Sequence, residues 1–339
     1  MQATHKEDNM KNTSSKHKIT KKAALGFSLS VAVAVISALA AVFSSLYLAS
    51  QFRTNSEAHH ESPFAYFRTL FGEDYVARIY ITGLIADESD NYSQSWILQT
   101  IEDLTDDVHN KGIILYVDSP GGGVYEADEV YLALMNYKAK KGAPVYAYFG
   151  PMAASGGYYI SCAADSIWAN RNTLTGSIGV LAGQFVDATE LLAKIGVKST
   201  TIHSGRNKLM GNFDEPMTDE QQQIMQAISD ECYEQFTGIV AESRSLPIET
   251  VLSLADGRVY TASQARDNGL IDAVGSFEDA LDAMTRREFD FEEYPLEDFY
   301  YQRRMTLYDF LMGVSSTIEG KSVLKRSLPF PAYYCPWQR

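Results

Sequence analysis

From Ala23 to Ser50 the chain carries no charged residue; AALGFSLSVAVAVISALAAVFSSLYLAS is apolar or small throughout. Such a run needs cover on every face. As a helix it reaches about 40 Å, more than the ~30 Å hydrocarbon core of a bilayer. The apolar region of a cleaved secretory signal is shorter, roughly 7–15 residues. Six lysines (Lys6, Lys11, Lys16, Lys18, Lys21, Lys22) precede the run, and Arg53 is the only early cation after it. Cations are retained on the cytoplasmic side, so residues 1–22 are expected inside as a basic tail, 23–50 as one transmembrane helix, and everything after Gln51 outside. Residues 51–72 are aperiodic and read as a linker.

The rest of the chain is acidic. Net charge is −14 although the first 22 residues are basic. A body of that sign repels phosphate backbones, which argues against nucleic acid as a partner. Hydrophobic residues make up 45% of the sequence, enough for a sizeable core. Cys162, Cys232 and Cys335 are too few and too far apart for a metal-ligand pattern or a disulfide framework.

After the linker, strand-like and helix-like segments alternate. Val76–Thr82 reads as a strand, Ser93–Asp107 as a helix, and Gly112–Val117 as a short apolar strand of the fully buried kind. A helix over Tyr125–Lys138, a strand over Pro144–Phe149, a helix from Ser155 to about Ala164 and a strand over Ile167–Ala169 follow. Farther on, Asp187–Ile195 reads as a helix, Val197–Ile202 as a strand, Ser204–Asn212 as a polar loop and Thr218–Arg244 as a long amphipathic helix. This alternation predicts an α/β domain with a mostly parallel sheet over residues 73–285. Residues 286–339 show no clear period and read as a C-terminal extension. In such sheets ligands bind beyond the C-terminal ends of the strands, and the glycine-rich segments 119–123 and 150–157 fall there.

Two of these segments carry chemistry. In Met152-Ala153-Ala154-Ser155-Gly156-Gly157, a serine between small residues stands at a strand-to-helix turn. Small neighbours admit a substrate backbone, and a helix starting there offers free amides to a developing oxyanion. The run is close to the G-x-S-x-G elbow, with Ala153 in place of the first glycine. A serine N-cap on a buried helix fits it equally. Ser119-Pro120-Gly121-Gly122-Gly123 follows a buried strand, and its glycines are either a tight turn or exposed donors for a tetrahedral intermediate. A serine nucleophile needs a base. His109 and His203 lie within the body; His109 reads as solvated and His203 as a fair candidate. Lys208, in Ser204-Gly205-Arg206-Asn207-Lys208, is ordinarily a solvated lysine by chemistry alone.

The motifs taken together resemble the signal peptide peptidase A family of bacterial Ser–Lys peptidases, whose fold is related to the Clp protease and crotonase superfamily. They are D-S-P-G-G-G at 118–123, M-A-A-S-G-G-Y-Y at 152–159, T-G-S-I-G-V at 175–180, S-G-x-x-K at 204–208 and G-R-V-Y-T-x-x-Q-A-x-x-x-G-L-I-D at 257–272. They occur in order over roughly residues 75–285. The resemblance implies a Clp/crotonase-like α/β domain with flanking helices behind one transmembrane helix. It implies Ser155 as nucleophile, Lys208 as general base, Ser177 as the residue orienting the lysine, and the amides of Gly122 and Gly156 as the oxyanion hole. Leu209 and Met210 follow the lysine where the family often has an acidic residue.

The same resemblance implies a homo-oligomer with sites near subunit interfaces, no cofactor and no metal. It also implies a place in the cytoplasmic membrane of a bacterium, anchored in the lipid bilayer through residues 23–50. The expected substrates are cleaved signal peptides or similar short apolar peptides. A lysine acts as base only when neutral, and lowering its pKa from about 10.4 to the working range takes roughly three units, ~4 kcal/mol. Lys208 is therefore expected to be desolvated once the site is assembled. Two other functional classes stay in view: a crotonase-like acyl-CoA enzyme, and a membrane scaffold without activity. A third possibility is a Ser–His mechanism through His203.

Overall fold

A computed structural model describes residues 72–302 and 332–334. The expected basic tail, transmembrane helix and all but the last residue of the linker lie outside the described residues. Among the described residues no helix is long and apolar enough to cross a membrane.

The sheet begins with β1 (Tyr75–Thr82), followed by helix α1 (Gln94–Asp106) and β2 (Asn110–Ser119). The glycine run forms a three-residue strand, β3 (Gly121–Gly123), which leads directly into α2 (Val124–Lys141). β4 (Val145–Ala154) runs up to Ser155, and α3 (Gly156–Ser161) departs from it. Next come β5 (Ser166–Ala169), β6 (Leu174–Gly176) and α4 (Thr189–Lys194). The long α5 (Asp219–Arg244) is followed by α6 (Ile248–Leu254), β7 (Val259–Thr261), α7 (Ala262–Asp267), β8 (Ala273–Val274), α8 (Phe277–Glu288) and β9 (Leu296–Phe299). A last strand, β10 (Ala332–Tyr334), returns to β3.

The main sheet has the order β7-β6-β4-β2-β1-β9, with β5 also paired to β4 and β8 to β5. Every pairing in it is parallel except β6 with β7, as expected of an α/β domain. Successive side chains in a strand point to opposite faces, and both faces here are apolar. Ile79, Ile81, Leu115, Val117, Ala147 and Phe149 share one core with residues of α1, α2, α3 and α5. Val76, Ile114, Tyr146 and Tyr148 face the other way, against Ala280 and Met284 of α8. Burial on both sides explains why β2 and β4 read as continuous apolar runs rather than alternating ones.

Several expectations need correction. Val197–Ile202 forms no strand; the segment is exposed, and a strand there would bury nothing. The helix expected over 187–195 is confined to Thr189–Lys194. The C-terminal region is not a mere extension: α8 runs through residue 285, and β9 pairs in parallel with β1 from Val76↔Leu296 to Ile79↔Phe299. Arg78 clamps that edge strand, its Nε donating to Asp298 Oδ1 at 2.6 Å. β9 is too short and too acidic, with Glu297 and Asp298, to show a strand period.

Candidate active site

β4 sets the position of Ser155. Its N-terminal half pairs with β2 and β5, and its last three residues pair with β6 from Met152↔Leu174 to Ala154↔Gly176. Between Val117↔Phe149 and Ser119↔Ala153 the register shifts, so Gly150-Pro151-Met152 bulges against Asp118. A bulge at a strand end bends the strand and re-aims the residues beyond it. Asp118 Oδ1 braces this bend by accepting the Met152 N–H at 3.2 Å. Half-burial raises the pKa of the Asp118 carboxyl, and the Met152 amide offsets part of that.

The pairing ends with Ser155, whose N–H donates to Gly176 O at 2.8 Å. There the backbone turns sharply, at φ 53 and ψ −117. A side-chain-bearing residue in so sparsely populated a region stores about 1–3 kcal/mol and holds only where its surroundings over-determine it. Here they do. The Gly176 carbonyl fixes one side, and the Ser155 carbonyl accepts the first helical bond from Tyr159 N at 2.8 Å. Gly157 lets α3 approach β2; a Cβ there would lie 3.2 Å from Ser119 O. The result is a serine at the apex between strand and helix, 1% exposed. Its hydroxyl is buried and has no hydrogen-bond partner among the described residues. A buried hydroxyl left unbonded is rare in native proteins and calls for an explanation, a catalytic role being one.

Beside it lies β3. Ser119 fastens the end of β2, its Oγ donating to Gly83 O at 2.6 Å and accepting from Gly121 N at 3.0 Å. Ile85 N donates to Gly121 O, and Gly123 N donates to Ile85 O, both at 2.9 Å. Strand groups alternate in direction, so the N–H and C=O of Gly122 point to the opposite edge. No other residue fits at 122, since a Cβ would lie 1.7 Å from Ile85 O. The other edge pairs antiparallel with β10, with Tyr333 opposite Gly122.

Ser177 follows directly after Gly176 and also has a positive φ, of 50. It is buried, and its N–H donates to Arg258 O at 2.8 Å. The structure thus brings Ser155, Gly156, Ser177 and the Gly122 strand to one end of the sheet. Lys208 stands apart. It is exposed, in a turn where its N–H donates to Gly205 O at 3.1 Å, and it makes no hydrogen bond to Ser155 in the single chain. His203 is exposed, with Nδ1 3.1 Å from Gly205 O. His109 is not simply solvated. It lies at the start of β2, the end remote from Ser155, with Nδ1 2.9 Å from Asp74 Oδ1. Cys162 is buried, and burial pushes its thiol up to about 12, which keeps it protonated and inert.

Two parts of this site are not visible to sequence reasoning. Asp118 stands in the sequence only as one letter of a motif, because a strand register shift cannot be seen along a single chain. β10 is missed because three residues show no period. Its one signal is that Pro331 and Pro336 bracket Ala-Tyr-Tyr-Cys, since a residue before proline is biased towards extended backbone.

The chain is similar in sequence to known peptidases. Residues 137–289 match peptidase family S49. A provisionally named signal peptide peptidase SppA of Enterococcus faecium is 36% identical over 220 residues, 63% of this chain and 63% of its own length. A provisionally named protease of Synechocystis sp. is 39% identical over 206 residues, 60% of this chain and 71% of its own. Protease 4 of Salmonella typhi is 35% identical over 240 residues, 70% of this chain but 38% of the relative. The chain therefore spans under two thirds of the Enterococcus protein and under half of protease 4. A solved ClpP1 mutant from Listeria monocytogenes is 17% identical, with a TM-score of 0.39 over 60% of this chain and 93% of that one, a distant likeness.

Proposed function

This chain belongs to peptidase family S49, and on that premise we propose that it is a membrane-anchored serine peptidase that hydrolyses short apolar peptides, released signal peptides among them, with Ser155 as nucleophile and Lys208 as base. The observation that carries the proposal is the Ser155 hydroxyl: buried, unbonded, held at a strained apex between a glycine strand and a helix start. Ser155 Oγ attacks the scissile carbonyl and passes its proton to the neutral Lys208 amine. The carbonyl oxygen, now an anion, takes the amides of Gly122 and Gly156. Gly156 opens α3, so its N–H has no partner within the helix. Losing one such donor raises a barrier by roughly 3–4 kcal/mol. Lys208 returns the proton to the leaving amine, and water repeats the sequence to clear the acyl group. Ser177, one residue from the carbonyl that holds Ser155, orients the lysine.

The dyad needs more than one chain can provide. A base beside Ser155 must be neutral and shielded from water when it acts, and Lys208 is open to solvent in the single chain. None of residues 181–220 is buried, yet they include Phe185, Val186, Leu191, Ile195, Ile202 and Phe213, all exposed. Exposed apolar side chains gathered in one segment are what an interface between chains would cover. We read the segment as the contact between copies of this chain, the homo-oligomer whose formation encloses Lys208. Membrane attachment through residues 23–50, with the catalytic domain on the outer side, rests on the uncharged run and its basic flank. Kinship of the fold with the Clp and crotonase superfamily rests on the order of the motifs.

A fluorophosphonate probe tests the chemistry. The wild-type chain in detergent should label on one serine, and Ser155→Ala should not label at all. Lys208→Ala should lower kcat/KM on a fluorogenic apolar peptide by about 10³-fold or more, the scale of a lost general base together with its proton transfer. His203→Ala should retain activity. Turnover that survives Lys208→Ala but not His203→Ala would replace the dyad with a Ser–His mechanism.

A further inference from the structure

β4 reaches Ser155 by way of an interruption. Val117 pairs with Phe149 and Ser119 with Ala153, so Gly150-Pro151-Met152 stand against Asp118 alone, three residues against one. Two surplus residues leave the alternation of faces intact, and Phe149 and Ala153 enter the same core. A register without the bulge would keep those faces and carry Ser155 about 7 Å along the strand. Apolar patterning does not reject that register, so the bulge must be held by particular groups.

We propose that Thr173 and Asp118 act as one clamp on Gly150-Pro151-Met152 and are positioning residues for Ser155. Their role rests on the reading of Ser155 as nucleophile and adds what fixes its place. Bulged residues lose partners in the strand ladder, and the clamp replaces them. Thr173, 1% exposed, donates from Oγ1 to Gly150 O at 2.6 Å, with Phe149 O also in reach at 3.1 Å. From the other side Asp118 Oδ1 accepts the Met152 N–H at 3.2 Å. Pro151, between them, has no N–H and is exposed. Tyr116 closes over Gly150, where a Cβ would lie 3.0 Å from its hydroxyl. Thr173 is itself fixed through its backbone: its N–H donates to Asn170 O at 2.9 Å, and its carbonyl accepts from Ala262 N, at the start of α7, at 3.1 Å. Neither side chain hydrogen-bonds to the Ser155 hydroxyl, so both act through the backbone of β4. A displacement of about 1 Å at a reacting group is enough to cost about 10²-fold in rate.

The test uses the full chain in detergent. Fluorophosphonate labelling taken to completion counts the competent serines, and turnover of a fluorogenic apolar peptide is expressed per labelled site. Thr173→Val keeps the shape and loses the donor. Its kcat per labelled site should fall about 10²-fold with KM unchanged, the split expected when only the transition state loses an interaction. Thr173→Ser, which keeps the donor, should recover most of that loss. Asp118→Ala should fall as Thr173→Val does, while Asp118→Asn, which keeps an acceptor, should not. The double variant Thr173→Val/Asp118→Ala should fall no further than the worse single one, since the two sides hold one bulge. A second readout is independent of activity: amide hydrogen exchange over residues 150–155 should quicken in Thr173→Val and in Asp118→Ala. Fewer labelled sites at an unchanged kcat per site would make both residues merely structural and overturn the assignment, and so would unaltered exchange. If Thr173→Val does not fold, the two Asp118 variants decide. A wild type that never labels would instead refute Ser155 as nucleophile, and exchange alone would then decide whether the bulge is clamped.

Discussion

Ser155 and Gly122 meet opposite demands at the same end of the sheet. Ser155 must keep a side chain where the backbone disfavours one, at φ 53, if it is to supply a hydroxyl at the apex. Gly122 must lack one, because Ile85 O occupies the place of its Cβ. The two constraints predict different behaviour for two glycine substitutions. Gly142 ends α2 at φ 67, and a Cβ there would meet nothing within 4 Å. Gly142→Ala should therefore cost only the left-handed strain, about 1–2 kcal/mol in urea unfolding. Gly122→Ala must push back a backbone atom rather than a flexible side chain. It should match or exceed the roughly 1–3 kcal/mol typical of an overpacked core and abolish probe labelling, since β3 would leave the site. Equal stabilities for the two variants would mean that β3 yields freely, and the close approach to Ile85 would lose its significance.

Among the elements, the short ones at the sheet edge do more for the site than their size suggests. β6 holds Ser155 through Gly176, and β7 holds β6 antiparallel from Leu174↔Thr261 to Gly176↔Val259. β7 in turn ends in Thr261, which caps α7: Thr261 Oγ1 accepts from Gln264 N at 3.3 Å, and Gln264 Oε1 accepts from Thr261 N at 3.0 Å. The same reciprocal box opens α5 at Thr218 with Gln221 and α8 at Ser276 with Asp279. Thr261→Ala should therefore lower stability by about 1 kcal/mol in thermal unfolding, while Thr261→Ser stays close to wild type. If the alanine variant melts with the wild type, the box contributes nothing and the edge is held by pairing alone. These caps are legible as residue types three apart at a helix start. That one of them supports the strand beneath the nucleophile is not, because the β6–β7 pairing spans distant segments of chain.

At the scale of the molecule, the contrast is between the tightly buried end of the sheet around Ser155 and a segment with no interior. Ahead of α5, residues 182–218 form one short helix and turns, with Ala188 N donating to Phe213 O at 2.7 Å and Arg206 pairing with Glu220 of α5 at 2.5 Å. Substitutions there should leave the fold of the single chain alone, since surface changes usually fall within about ±0.5 kcal/mol. They should not leave the assembly alone. Ile202→Asp and Phe213→Asp should shift light-scattering mass after gel filtration towards the monomer and reduce peptide turnover in proportion, with Ser155 itself intact. A monomeric wild type with full activity would show that Lys208 reaches its working state without a partner.

The sequence by itself settled what depends on neighbours along the chain. Buried strands declared themselves as apolar runs, α5 by its period, and the elbow by Ser155 among small residues. The uncharged run 23–50 and the order of five short motifs pointed to an anchored peptidase. Only the tertiary structure decided what depends on distant segments meeting. It showed the bulge that Asp118 braces, the edge of β3 that faces Ala332–Tyr334, the place of β9 in the sheet and the exposure of Lys208 in a lone chain. Periodicity reports which face of an element is buried, but not which other element buries it. That second fact is a balance of packing and backbone pairing across the whole chain, and no local pattern encodes it.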